Sequence, residues 1–290
     1  MAILALVTLI IGIPFLVLMS GILVWRIWYK SRNRRSPLTT TLIHLPGHSL
    51  RYQLDDMNWE IAVIVALTFT VFSVPITIKA ISAYYHHYPS LLNGDLWIFP
   101  ISLIVLAWLV WRAVTLISRR QKLLEGLQAE EAVAQELQPL LRDGCYIFHD
   151  IDAKQFNIDH VIVGPGGVYA VETKSRLKPD AGKDSAKVRY DGAVLYFPDW
   201  SDTKIIEQAR RQSKWLAEQL SRSTGSSTPV KAVVALPGWY VDVTGKSDVM
   251  VINSKNAGFL AKGNKDSSLT EARITQIIYQ VEQLCHVNEF

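Results

Sequence analysis

The stretch Asn157–Ser175, NIDHVIVGPGGVYAVETKS, decides the fold. Two apolar runs, Asn157 to Val163 and Val168 to Lys174, flank Gly164-Pro165-Gly166-Gly167, so the chain is expected to fold back as an antiparallel hairpin. With a four-residue loop Val163 faces Val168, and counting outward sets Asp159 opposite Glu172. Side chains alternate along a strand, so Lys174 shares the face of Glu172, Ala170 and Val168, while Tyr169, Val171 and Thr173 point the other way. Directly opposed residues have Cβ atoms about 4.5 to 5.5 Å apart. Two carboxylates and an amine therefore meet on one face. Like charges placed opposite each other destabilise a sheet and call for a compensating cation. Mg²⁺ suits such a place, because one or two carboxylates hold it and its remaining waters are open to displacement by a phosphate.

A second polar residue departs from its pattern upstream. From Arg119 to Leu141 the apolar positions Leu123, Leu127, Ala134, Leu137 and Leu141 follow a helical period that ends before Asp143-Gly144. Glu130 falls in the middle of that stripe and Glu131 at its edge. A core-facing carboxylate is rarely buried without a partner. Glu130 is thus expected either to join the Asp159–Glu172 site or to form an internal ion pair with Lys174 that carries no chemistry.

The flanking elements complete an α/β pattern. Cys145 to Phe148 reads as a short strand and Val188 to Phe197 as a hairpin turning at Asp191-Gly192. Asp202 to Leu220 reads as a helix, Val230 to Leu236 as a buried strand, Asp248 to Asn253 as a strand, and Thr270 to Leu284 as a closing amphipathic helix. Arg210, Arg211 and Lys214 suit phosphate contacts and a solvated helix face equally. Trp200, Trp239 and Tyr240 offer base-stacking surface, although packing is the more common use of aromatics beside turns. His160 points away from Asp159 by alternation and is not counted as a ligand.

Four segments together carry a family resemblance: GLQAEEAVAQEL at 126–137, the 157–175 stretch, IIEQARRQSKWLAEQL at 205–220, and VKAVVALPGWYV at 230–241. From roughly Leu123 to Val241 the chain resembles the nuclease-related domain, NERD, of the PD-(D/E)xK nuclease superfamily. The resemblance implies a restriction-endonuclease-like mixed sheet flanked by helices. It implies Asp159 and Glu172 as metal ligands, Lys174 as the catalytic lysine, Glu130 as the helix carboxylate completing the metal shell, and Gln208 as the polar residue of the following helix. It also implies a Mg²⁺- or Mn²⁺-dependent nuclease with nucleic acid as partner, DNA ahead of RNA. Ala129 stands where the family usually has glycine. The rival reading is a catalytically silent nucleic-acid-binding or scaffold module that keeps the same fold.

The rest of the chain is unlike this domain. Of 290 residues 49% are hydrophobic and 19% charged, against about 25% charged in a soluble domain. The excess lies in uncharged runs at Ala2–Trp25, Ile61–Ile78 and Leu96–Trp111, and a spanning helix needs roughly 20 such residues. A lipid bilayer is therefore the second expected partner. The expected organisation is a membrane anchor at 1–118, with helices at about 2–25, 61–78 and 96–116, followed by a cytoplasmic domain at 119–290. Arg26, Lys30, Arg32, Arg34, Arg35 and Arg51 lie between the first two runs, and Arg112, Arg119, Arg120 and Lys122 follow the third. By the positive-inside rule the N-terminus is outside and the C-terminal domain inside. Up to Trp111 there are 7 Lys/Arg against 4 Asp/Glu, and thereafter 23 against 22, so net charge alone does not signal a nucleic-acid binder. Cys145 and Cys285 are too few for a disulfide framework and lack zinc-type spacing.

Overall fold

The structure, a computed structural model, describes residues 20–22, 24, 27–28, 43–84, 98–179, 185–262 and 269–285, with side chains at all of these except 74 and 77–84. It divides into two compact units: one of Met1–Thr39 and Gln53–Lys122, the other of Thr40–Tyr52 and Leu123–Phe290. The second unit thus takes in a short stretch that the sequence places in the first loop.

Helices α1 (His48–Tyr84) and α2 (Ile98–Leu137) supply most of the described part of the first unit. Both are long and apolar enough to cross a membrane, and only 11% of each apolar window is buried. Ile64, Leu109 and Leu116 pack together there, and Arg112 donates to Glu60 at 2.6 Å. Among the described residues these are two candidate spans, and the expected helix at 2–25 lies largely outside the described residues. The third apolar run and the amphipathic helix after Arg119, read above as separate, are one unbroken α2. Charged Arg112, Arg119 and Arg120 end a membrane run but do not end a helix, which takes glycine, proline or a cap.

The second unit is mixed α/β with two mixed sheets flanked by helices. After a 3₁₀ turn at Gln138–Asp143 come β1 (Tyr146–Asp152), β2 (Asn157–Gly164) and β3 (Gly167–Thr173), then β4 (Lys187–Tyr190), β5 (Leu195–Tyr196) and β6 (Ser201–Asp202). Helix α3 (Lys204–Thr224) leads to β7 (Val230–Ala235), β8 (Tyr240–Val243), β9 (Val249–Ile252), α4 (Phe259–Lys262) and α5 (Glu271–Leu284). The larger sheet has the order β1-β2-β3-β7-β9, antiparallel from β1 to β3 and parallel from β3 to β9. The parallel step needs a crossover, which α3 provides. The smaller sheet, β6-β5-β4-β8, includes Tyr240–Val243, a strand the sequence reading did not anticipate.

Alternation along β2 and β3 sorts the core. Ile162, Tyr169 and Val171 pack with Val133 and Leu137 of α2 on one face. Val161, Val163, Val168 and Ala170 meet Leu216 and Leu220 of α3 and Ile277 and Val281 of α5 on the other. Every residue of β3 is buried, as expected of a strand covered on both sides. The hairpin keeps the expected register, Val163 opposite Val168, but Gly164 also pairs with Gly167, so the turn is only Pro165-Gly166. Gly164 permits this because a Cβ there would lie 2.5 Å from Cys145 Sγ.

Candidate active site

Pairing between β2 and β3 runs as far as His160 opposite Val171, and the next two positions are Asp159 and Glu172. There the side chains take over from the ladder: the Thr173 N–H donates to Asp159 Oδ2 at 2.6 Å. Glu172 lies on the α3 side of the sheet with Val168 and Ala170, only 2% exposed. A buried carboxylate must be hydrogen-bonded or paired. Glu172 is both. Its Oε1 accepts from Lys174 Nζ at 2.6 Å and from Gln208 Nε2 at 2.9 Å, and its Oε2 accepts from Gln212 Nε2. Gln212 uses its other amide hydrogen on the Asn157 carbonyl at 2.8 Å, while its Oε1 is buried without a protein partner.

Sequence reasoning singled out Gln208 and passed over Gln212. The signal was present, since Ile205, Ala209, Gln212, Leu216 and Leu220 form the buried stripe of α3, and one amide among apolar residues is the same anomaly that marked Glu130.

Glu130 approaches from α2. Burial pushes its carboxyl up to about 8, the charges of Asp150 and Glu172 add to the rise, and Lys174 and the Gly47 N–H oppose it. Asp159 is also held well above the usual carboxylate range, first by burial, then by Glu172 and Glu130, against the Thr173 N–H and Lys174. The structure thus brings Glu130, Asp159, Glu172, Lys174 and Gln208 into one electrostatically connected group. The direct partner of Lys174 is Glu172, not Glu130 as the ion-pair reading expected.

Asp150 escaped the sequence reading. It sits inside β1 with φ +51°, and the β1–β2 pairs resume on either side of it, at His149–His160 and Ile151–Ile158. A non-glycine residue in the left-handed region is strained, and here the local turn takes Asp150 out of the ladder. Nothing in the sequence of a single strand announces such a twist.

The remaining candidates separate clearly. His160 is fully buried with Nδ1 2.8 Å from His149 Nδ1. Burial lowers the two imidazoles to about 3 and about 4, His149 further lowering His160, so the pair is neutral near pH 7. Trp239 is 1% exposed and donates to the Arg176 carbonyl, a packing role. Trp200 stacks on Phe197 at 3.8 Å with Arg176 over its ring, and Tyr240 is exposed. Arg210 forms a paired contact with Asp248, whereas Arg211 and Lys214 face solvent.

Residues 125–237 match the family model of the nuclease-related domain, NERD. The match contains Glu130, Asp159, Glu172, Lys174, Gln208 and Gln212, and excludes the 43–52 segment, β8, β9 and α5. No curated protein and no solved structure matches the chain.

Proposed function

We propose that residues 119–290 form a restriction-endonuclease-like, divalent-metal-dependent nuclease domain that hydrolyses phosphodiester bonds of nucleic acid, with DNA as substrate, and that apolar helices anchor it to a membrane. The observation that carries this reading is an imbalance of charge: three carboxylates, Glu130, Asp159 and Glu172, surround one lysine, and Glu130 and Asp159 are both raised by burial and by the field of Glu172. The donor set fits a hard cation. All three ligands offer oxygen, as Mg²⁺ and Mn²⁺ prefer, and the orphaned Gln212 Oε1 beside Glu172 is a buried acceptor awaiting a water or ion shell.

Glu130, Asp159 and Glu172 are the residues that would hold Mg²⁺ or Mn²⁺. When bound, such an ion supplies Lewis acidity towards a phosphate and an acidified water. This chain's own residues do the rest. Lys174, 2.6 Å from Glu172, holds a positive charge beside the reacting phosphate and is placed to position the attacking water or stabilise developing negative charge. Gln208 fixes the Glu172 oxygen that Lys174 also contacts, so it orients the lysine indirectly. Gln212, tied to Glu172 and to the β2 backbone, keeps the carboxylate from rotating.

The full hydrogen bonding of Glu172 favours one rival, a silent nucleic-acid-binding module in which Lys174 and Glu172 are structural. Purified full-length chain in detergent, assayed on linear, circular and single-stranded DNA with Mg²⁺ or Mn²⁺ and with EDTA, distinguishes them. Metal-dependent cleavage supports the nuclease, and binding without cleavage supports the rival.

Support for the membrane anchor comes from α2, where Leu103 and Ile104 are 71% and 70% exposed, an arrangement costly in water and favourable in lipid. In the proposed orientation a cysteine near Ser90 is labelled by an impermeant reagent added outside, and one at Ser223 only after lysis. Equal labelling of both sites overturns that orientation.

A further inference from the structure

The segment that the second unit takes from the first loop carries unexplained chemistry. At its start the His44 N–H donates to the Cys285 carbonyl, and His44 Nδ1 lies 2.6 Å from the carbonyl oxygen of Asp150. The chain then turns at Pro46-Gly47, where Gly47 has φ +68° and a Cβ would lie 2.2 Å from Leu127 Cδ1. The turn brings His48 back over His44, their rings 4.6 Å apart and within 9° of parallel. Donor atoms of His44, His48 and Asp150 all lie within 4.8 Å of one another.

We propose that His44, His48 and Asp150 form a second metal site, selective for Zn²⁺ and separate from the Glu130–Asp159–Glu172 group. The supporting shell is already built. Donation from His44 Nδ1–H to a backbone carbonyl fixes the tautomer and leaves Nε2 with a free lone pair, the usual second contact of a metal-binding histidine. Asp150, 3% exposed, is oriented by Asn157 Nδ2 at 2.8 Å on Oδ1 and by the Ser49 N–H on Oδ2, so each oxygen keeps one lone pair. Asn157 also donates to Ser49 Oγ at 2.6 Å, locking the second shell to itself.

Ligand type assigns the ion. Two imidazoles and one carboxylate with an open position suit Zn²⁺, whereas Mg²⁺ takes oxygen ligands and usually keeps several waters. The spacing His44-x-x-x-His48 is one that zinc sites use. The strained φ of Asp150 has its use here, because it turns the carboxylate out of the β1–β2 ladder towards the histidines. The site also adjoins the carboxylate group, since Glu130 Oε2 lies 3.6 Å from where a Cβ on Gly47, between the two histidines, would stand. Zn²⁺ would thereby fix the turn that holds Glu130 in place.

The test uses full-length chain in detergent, stripped with EDTA and titrated with Zn²⁺. The expected result is one tightly held Zn²⁺ per chain, affinity at least about 10-fold lower for His44→Gln and for His48→Gln, and little change for Asp159→Asn. Saturating Zn²⁺ should raise the Tm by about 5 °C or more, a gain lost in the double histidine variant. Co²⁺ titration of the wild type gives a readout independent of any variant: imidazole ligation in a low-coordinate site absorbs strongly in the visible, and an all-oxygen octahedral site only weakly. Absence of Zn²⁺ binding, unchanged affinity in a folded double variant, weak Co²⁺ absorption, or loss of Zn²⁺ on Asp159→Asn each overturns the proposal. None of these outcomes depends on whether the carboxylate group cleaves DNA.

Discussion

The half of the candidate site built on β3 and α3 and the half built on α2 and the 43–52 segment hold the same chemical group in opposite ways. Glu172 is surrounded by donors, Lys174, Gln208 and Gln212, the two glutamines delivered by a helix whose apolar stripe fixes its position. Glu130 sits among the fields of Asp150 and Glu172, which Lys174 and the Gly47 N–H only partly oppose, and burial first of all raises its carboxyl to about 8. Packing thus compensates one carboxylate and leaves the other in surplus. The compensated half sets geometry, and the surplus half is where a cation gains most.

The largest expected effect tests whether the compensated half does chemistry. Lys174→Met should lower metal-dependent DNA cleavage by two or more orders of magnitude, about what a positioned acid–base group contributes. Glu172 keeps both glutamine donors, so the loss of stability should stay at about 1 to 3 kcal/mol, that of one hydrogen bond to a charged group. Single-turnover cleavage alongside urea unfolding reads both. Cleavage that survives in a folded variant removes Lys174 from the mechanism and makes the whole β3–α3 half structural.

Next in size is a contrast within that half. Gln212→Leu strips Glu172 Oε2 and the Asn157 carbonyl of their shared donor in a buried setting and should cost about 2 to 3 kcal/mol. Gln208→Leu removes a donor from Oε1, which Lys174 still satisfies, in a half-buried position, and should cost less than about 1 kcal/mol. Urea midpoints of the two variants decide the order. Equal losses would mean that the compensation is shared electrostatically and not held bond by bond.

The same contrast explains how far the sequence could be read. The hairpin, its register and the convergence of Asp159, Glu172 and Lys174 follow from alternation and a turn, both local, and Glu130 was marked by a polar residue in an apolar stripe. The choice of Glu172 over Glu130 as partner of Lys174 was not legible, because it depends on how closely two elements approach. Asp150 was hidden for a different reason: its left-handed φ is imposed by tertiary contacts with residues about a hundred positions away, Ser49 among them. Likewise β8 is a four-residue strand whose partner β4 lies some fifty residues upstream, beyond the reach of periodicity.

The smallest expected effect is a pH dependence that isolates the surplus half. A carboxyl whose folded value is raised from 4.5 to about 8 binds its proton more tightly in the native state, so its contribution to stability is complete below about 4.5 and is lost as pH rises through about 8. The buried histidines act with the opposite sign. His149 and His160, lowered to about 4 and about 3 from 6.5, favour the folded state above 6.5 and lose that contribution as pH falls. About one pH unit above 6.5 the histidines are neutral folded or unfolded, and the raised carboxyls dominate the slope. Metal-free protein should therefore lose stability between about pH 7.5 and about 8.5, and Glu130→Gln should recover on the order of 1 kcal/mol at the upper end, below the limit of about 1.4 kcal/mol per pH unit for one proton. Saturating Mg²⁺ should flatten the wild-type profile in the same way, since a bound cation replaces the proton that Glu130 otherwise keeps. Urea midpoints at the two pH values, with EDTA and with Mg²⁺, measure all three slopes. A variant that falls as steeply as the wild type would show that Glu130 carries no surplus charge, and the two halves of the site would then be alike.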